Sequence, residues 1–294
     1  MLDNAPRTET FTGSSGNKLV GDLHGKGARS VILLHGGGQT RHAFAGTAQE
    51  LAKAGWTALV LDQRGHGDSA WVTDGAYTAL DFANDAAAVA AQLKERFGNP
   101  PVLVGASLGG MAGMLAEGIA FKEKLAPNFS ALILVDVTPR FDIGGAAKIL
   151  GFMGERVREG FASIEEAADA VARYLPHRPR PSSNEGLRKN LRERDGRWYW
   201  HWDPGFFSGP KPVSSDRQHY ESERVEAVRN LRIPALLVRG GSSELVKEEH
   251  VKEFLALAPH AKFVDVAGAR HMVAGDRNDV FSAAIVDFLA GLEN

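Results

Sequence analysis

Short runs of β-branched and leucine residues recur at positions 31–34, 58–61, 102–104, 132–135, 235–238 and 263–266, most of them bounded by Gly, Pro or Asp. Runs of this length and composition predict buried strands. Alanine-rich stretches with helical spacing separate them at 43–54, 80–97, 108–121 and 246–258, and a last one covers 280–292. The alternation predicts an α/β fold with a mostly parallel central sheet covered by helices on both faces. The opening stretch, 8–23, is broken by Gly13-Ser14-Ser15-Gly16-Asn17, which predicts an antiparallel hairpin at the sheet edge.

One interval departs from this rhythm. Residues 140–230 hold no core strand although they separate two good ones. Their first part carries Ile149, Phe152, Val157, Phe161, Ile164, Ala168 and Val171 at helical spacing, and their later part is rich in Arg, Pro and aromatic residues. The expectation is a core domain made of 1–139 and 231–294, with 140–230 inserted as a mainly helical lid. The Pro-rich step at 176–181 reads as a turn between lid helices.

Composition narrows the classes. The 34 basic and 36 acidic residues of the 294-residue chain give a net charge of -2 and are spread along its length, so no block of one sign points to nucleic acid or a membrane. No apolar run approaches the roughly 20 residues that span a bilayer. The segment 1–12 lacks the apolar stretch of a signal peptide, so a cytoplasmic location is expected. With no cysteine, disulfides, thiolate metal sites and a cysteine nucleophile are excluded. The oligomeric state is open between monomer and homodimer.

The strongest chemical signal is Gly105-Ala106-Ser107-Leu108-Gly109, directly after the strand at 102–104 and directly before a helical segment. A serine at such a turn is held in a strained backbone with its hydroxyl above the sheet, and small neighbours avoid steric clash. The Leu108 amide at the helix start can bind developing negative charge. The bland alternative is a glycine-rich helix start. His35-Gly36-Gly37-Gly38 follows the strand at 31–34, where the backbone can approach a substrate carbonyl closely. Gly37 N–H is the first candidate for a second oxyanion donor and Gly38 the next. A phosphate loop would need Gly-Lys-Ser/Thr or G-x-G-x-x-G, and neither opens a helix here.

Together with Asp62-Gln63-Arg64-Gly65-His66-Gly67-Asp68-Ser69, residues 234–240 and Arg270-His271-Met272, these motifs make nearly the whole chain resemble the α/β-hydrolase superfamily. The likeness is to its lidded group of epoxide hydrolases, dehalogenases, carbon–carbon bond hydrolases and esterases. The resemblance implies that Asp62, Arg64 and His66 hold loops together. It implies His271, in the loop after the last strand, as the general base, while His24, His42, His250 and His260 read as surface residues. The triad acid is expected after the strand at 235–238, where the loop reads Gly240-Gly241-Ser242-Ser243-Glu244, so Glu244 is the favoured carboxylate. Asp136, at the end of the preceding strand, is the reserve, because some members take the acid from there.

The implied chemistry is hydrolysis of an ester, thioester or lactone through an acyl-enzyme on Ser107, with no cofactor and a small acyl compound as the partner. Dehalogenases and epoxide hydrolases of the group need an aspartate where Ser107 stands. A carbon–carbon bond hydrolase, a cofactor-free perhydrolase or oxygenase, and a non-catalytic binding module of the same fold are the alternatives. In the lid, Trp198, Trp200 and Trp202 share one face if the piece is extended. That face either lines an apolar substrate pocket or fixes the lid to the core.

Overall fold

The computed structural model describes residues 5–176, 183–215, 217–276 and 278–292. Eight strands form one sheet: β1 (Arg7–Thr12), β2 (Lys18–His24), β3 (Ser30–Leu34), β4 (Thr57–Asp62), β5 (Val102–Ala106), β6 (Ala131–Val135), β9 (Ala235–Gly240) and β10 (Lys262–Val266). Two more, β7 (Leu191–Arg194) and β8 (Arg197–Trp200), pair with each other in the interval between β6 and β9. The sheet order is β1-β2-β4-β3-β5-β6-β9-β10. β1 and β2 form the expected antiparallel hairpin, β2 runs antiparallel to β4, and the strands from β4 to β10 are parallel neighbours.

Successive side chains of a strand point to opposite faces, and here each face has its own core. Ile32, Leu34, Leu59, Leu61, Leu103, Leu132, Leu134 and Leu237 pack towards helices Ala79–Phe97 and Leu108–Lys122. Val31, Leu33, Val60, Val104, Ile133 and Val238 pack towards Phe44, Leu51, Phe281 and Ile285 of the opposite layer. Both faces are therefore dry, which is why these strands read as continuous apolar runs without polar alternation. The edge strand β10 exposes Phe263 instead.

Helix Ala79–Phe97 shows how local chemistry fixes a boundary. Thr78 Oγ1 caps it by accepting from Asp81 N–H, the Asp81 carboxylate accepts in turn from Thr78 N–H at 2.8 Å, and Gly98 closes it at φ 80°.

Between β6 and β9 the chain forms helices Ile143–Gly154, Ile164–Tyr174 and Arg217–Arg229, together with the β7–β8 hairpin. The hairpin is an addition to the helices expected there. Its turn is Asp195-Gly196, with φ of 52° and 73°, so the sequence carried the strongest short hairpin signal at this point. Beyond Pro176, the Pro-rich step at 176–181 lies outside the described residues. Among the described residues, no helix is long and apolar enough to cross a membrane.

Parallel strands end on one side of a sheet, and ligand sites of open α/β sheets lie there. The loops after β3, β5, β6, β9 and β10 meet at that edge.

Candidate active site

Between β5 and helix Leu108–Lys122 the chain turns on Ser107 alone, at φ 45° and ψ -109°. A non-glycine residue in such a conformation stores about 1–3 kcal/mol of strain and persists only where its surroundings enforce it. They do so here. A Cβ at Gly105 would lie 2.5 Å from the Gly109 backbone, and one at Gly109 would lie 2.4 Å from the Leu34 carbonyl oxygen. Glycine at both positions lets the helix approach the sheet closely enough to make the turn. Ser107 N–H donates to Val135 O at 3.2 Å, whereas Leu108 N–H, first in its helix, has no acceptor within it.

The loop after β3 is tied at both ends. Gly36 N–H donates to Gln39 Oε1 at 3.1 Å, Gln39 N–H returns to Gly36 O at 3.2 Å, and Gly38 N–H donates to His66 Nε2 at 3.1 Å. The amide between them, Gly37 N–H, has no acceptor among the described residues. The expected donors Gly37 and Leu108 are thus both amides that the fold itself does not use.

Buried histidines secure this loop. His66 Nδ1 donates to Arg64 O, which makes Nε2 the acceptor for Gly38, and His35 Nε2 accepts from Gln63 N–H at 3.1 Å. His201, from the inserted segment, accepts Gly67 N–H on Nδ1 at 2.7 Å. Burial dominates their titration. It pushes His35 down to about 4 and His66 down to about 3, and it holds His201 well below the ordinary imidazole value. All three are neutral near pH 7, as their acceptor roles require.

The carboxylate on His271 is Asp136, which corrects the expected partner. His271 Nδ1 donates to Asp136 Oδ2 at 2.7 Å, and the same carboxylate accepts Ser243 Oγ–H at 2.6 Å and Gly240 N–H at 3.0 Å. Asp136 is fully buried, directly after β6, and sits at φ 48°. Glu244 points elsewhere. Its Oε2 is buried without a hydrogen-bond partner, and its carbonyl packs close to Gly145. The physical reason is a division of labour in the loop after β9: Ser243 Oγ accepts from Leu245 and Val246 N–H and donates to Asp136, which turns the following residue away. Ser243 was not singled out from the sequence, although its place next to the expected acid was the available clue.

Ser107 and His271 line the same cavity of about 480 Å³, with no direct hydrogen bond between them in this structure. Its walls are mostly apolar and include Met111, Val137, Ile149, Phe152, Met153 and Phe206. Of the tryptophans expected to face substrate, only Trp202 belongs to the lining. Trp200 is buried between Trp202, stacked at 4.8 Å, and Phe161, edge-on at 5.1 Å. Trp198 lies under the Arg188 guanidinium at 5.0 Å. Strand β8 ends at Trp200, and the rings of Trp198 and Trp200 pack within the inserted segment. Gly38 lines the cavity as expected. Two histidines expected at the surface are elsewhere: His42 lines the cavity, and His24 is buried on β2.

Asp62, Arg64 and His66 form a scaffold beneath the site. Arg64, 0% exposed at its side chain, makes a two-pronged pair with Asp85 at 2.7 Å on each prong, and also donates to Ala76 O. Asp62 accepts from the Arg41 backbone and guanidinium and from Asp68 N–H.

Residues 31–284 match the model of the Alpha/beta hydrolase family. The esterase Rv0045c of Mycobacterium tuberculosis is 30% identical over 91% of this chain and 84% of its own length. The 3-hydroxybutyrate-oligomer hydrolase of Cupriavidus necator is 26% identical over 83% of this chain and 82% of its own. The crystal structure of E-2-(acetamidomethylene)succinate hydrolase superposes with a TM-score of 0.79 at 24% identity, covering 97% of this chain and 99% of that one, a likeness of fold.

Proposed function

Given that the chain belongs to the alpha/beta hydrolase family, we propose that it hydrolyses carboxylic esters, or the related thioesters and lactones, through an acyl-enzyme on Ser107. The observation that carries this reading is one arrangement. A strained serine, a histidine held by a buried carboxylate, and two amides without intramolecular acceptors border one largely apolar cavity. The roles follow from chemistry. His271 Nε2 takes the Ser107 proton as Oγ attacks the carbonyl carbon, and Gly37 and Leu108 N–H hold the resulting oxyanion. Asp136 keeps the proton on Nδ1, so that Nε2 is the basic nitrogen, and stabilises the imidazolium that forms. The imidazolium then protonates the departing alkoxide. Water, deprotonated by the same histidine, releases the acid and regenerates Ser107.

The esterase relative supports the ester-cleaving reading. The test is nitrophenol release from short and medium acyl esters by the purified protein beside Ser107→Ala. Turnover that falls by about 10⁴-fold or more in the variant, with unfolding unchanged, is the expected result. Equal turnover in both proteins, or none in either, would remove the proposal.

A further inference from the structure

The cavity lining is asymmetric in charge. Among the described residues its charged side chains are Lys189 and Arg224, and no Asp or Glu side chain joins them. Arg224 is buried, donates from Nε to Pro139 O at 3.1 Å and lies over the Phe141 ring at 5.5 Å, which marks it as part of the wall. Lys189 differs. Its backbone N–H donates to Leu187 O, and its ammonium has no hydrogen bond or ion pair among the described residues. It stands beside His42 and is one of the charges that, after burial and Arg41, keep that imidazole below its ordinary value.

The neighbouring amides are turned the same way. Gln39 Oε1 is occupied by Gly36 N–H, which fixes the amide orientation and leaves Nε2 as the open group. A Cβ at Gly36 would touch both Gln39 Oε1, at 3.4 Å, and Ser107 Cβ, at 3.5 Å, so this amide flanks the serine. Asn190 Oδ1 accepts from Thr40 Oγ1 at 3.4 Å, which leaves its NH₂ open as well. The cavity that Ser107 lines therefore presents amide donors and a cation with no carboxylate to match them.

We propose that this wall, with Lys189 as its charged member and Gln39 and Asn190 as its amide donors, binds a free carboxylate carried by the acyl substrate. The preferred compounds are then half-esters of short dicarboxylic acids. The inference deepens the hydrolase reading and rests on it for the reaction, although the binding step stands by itself. An ammonium at the rim of an apolar cavity attracts a carboxylate through a medium less polar than water, while its exposed side keeps the pair sensitive to salt.

The test uses binding, so that it does not depend on turnover. Monomethyl glutarate and dimethyl glutarate, which differ by one negative charge, are titrated calorimetrically into Ser107→Ala and into Ser107→Ala combined with Lys189→Met or Lys189→Arg. The expected result is at least ten-fold tighter binding of the monomethyl ester to Ser107→Ala. That preference shrinks with added salt, disappears with Lys189→Met and partly returns with Lys189→Arg. Equal affinity for both esters in Ser107→Ala, or a preference that survives Lys189→Met, overturns the proposal. Charge-selective binding without hydrolysis by the unmodified protein would overturn the hydrolase reading alone.

Discussion

The strand ends and the inserted segment build the same cavity by different physical means. Ser107, Asp136 and His271 stand on loops at the ends of β5, β6 and β10, so the spacing of parallel strands and two residues at positive φ set their relative positions. Phe152, Met153, Trp202 and Phe206 come from 140–230, where rings packed on rings provide the wall. In the first region each position depends on particular hydrogen bonds and backbone angles. The second sets the volume and polarity offered to a substrate, and its contacts can be exchanged for others of similar size.

The largest expected effect lies among the strand ends. Asp136→Asn should lower kcat for ester hydrolysis by about 10⁴-fold, because an amide cannot hold His271 in the required tautomer. Glu244→Gln should change kcat by less than about three-fold. The reverse ranking, measured on the same ester, would place the acid back on the loop after β9.

Breaking the scaffold under the site comes next. Asp85→Ala leaves the buried Arg64 guanidinium without its paired carboxylate and should cost about 3–5 kcal/mol in denaturant unfolding. Loss of less than about 1 kcal/mol would mean that Ser14, Ser15 and Asp81 satisfy Arg64 alone.

Acid should separate the regions through the three neutral histidines. Their folded values lie below the unfolded one, so the unfolded chain binds more protons, and stability must fall as pH drops from about 6.5 towards 4. Glu117 acts in the opposite sense: burial raises it to about 7, so it favours the folded state at lower pH. One raised carboxyl against three depressed imidazoles, His35, His66 and His201, leaves a net loss of stability between pH 7 and 4.5. A flat or rising unfolding midpoint across that range would contradict the assignment of these histidines as neutral.

The smallest effect on chemistry and the most local effect on structure belong to the inserted segment. Trp200→Ala removes a ring buried among Phe152, Phe161 and Trp202 and should loosen 140–230. Trypsin should then cut first within that segment while the sheet core persists. Simultaneous digestion of both regions would show that they unfold as one unit.

What was legible in the sequence follows the same division. The six parallel strands, the edge hairpin and the main helices of the sheet layers stood in the apolar periodicity, most plainly in the five inner strands, because a strand buried on both faces cannot hide its composition. The turn at Ser107 was legible because steric demands between a strand and a helix leave few residue choices, whereas His271 was picked out by the resemblance, from its place in the loop after the last strand. The β7–β8 hairpin was legible in Asp195-Gly196, yet the surrounding arginines obscured it.

Which carboxylate meets His271 was decided by tertiary structure. Asp136 and Glu244 both follow parallel strands, and no local pattern states which carboxylate turns towards His271. The choice depends on Ser243 Oγ joining Leu245, Val246 and Asp136, a set of bonds made only when the loops after β6 and β9 meet. The cavity wall was decided in the same way. Trp198, Trp200 and Trp202 share one periodicity, and only packing against Phe161 and the Arg188 guanidinium leaves Trp202 as the ring that lines the cavity.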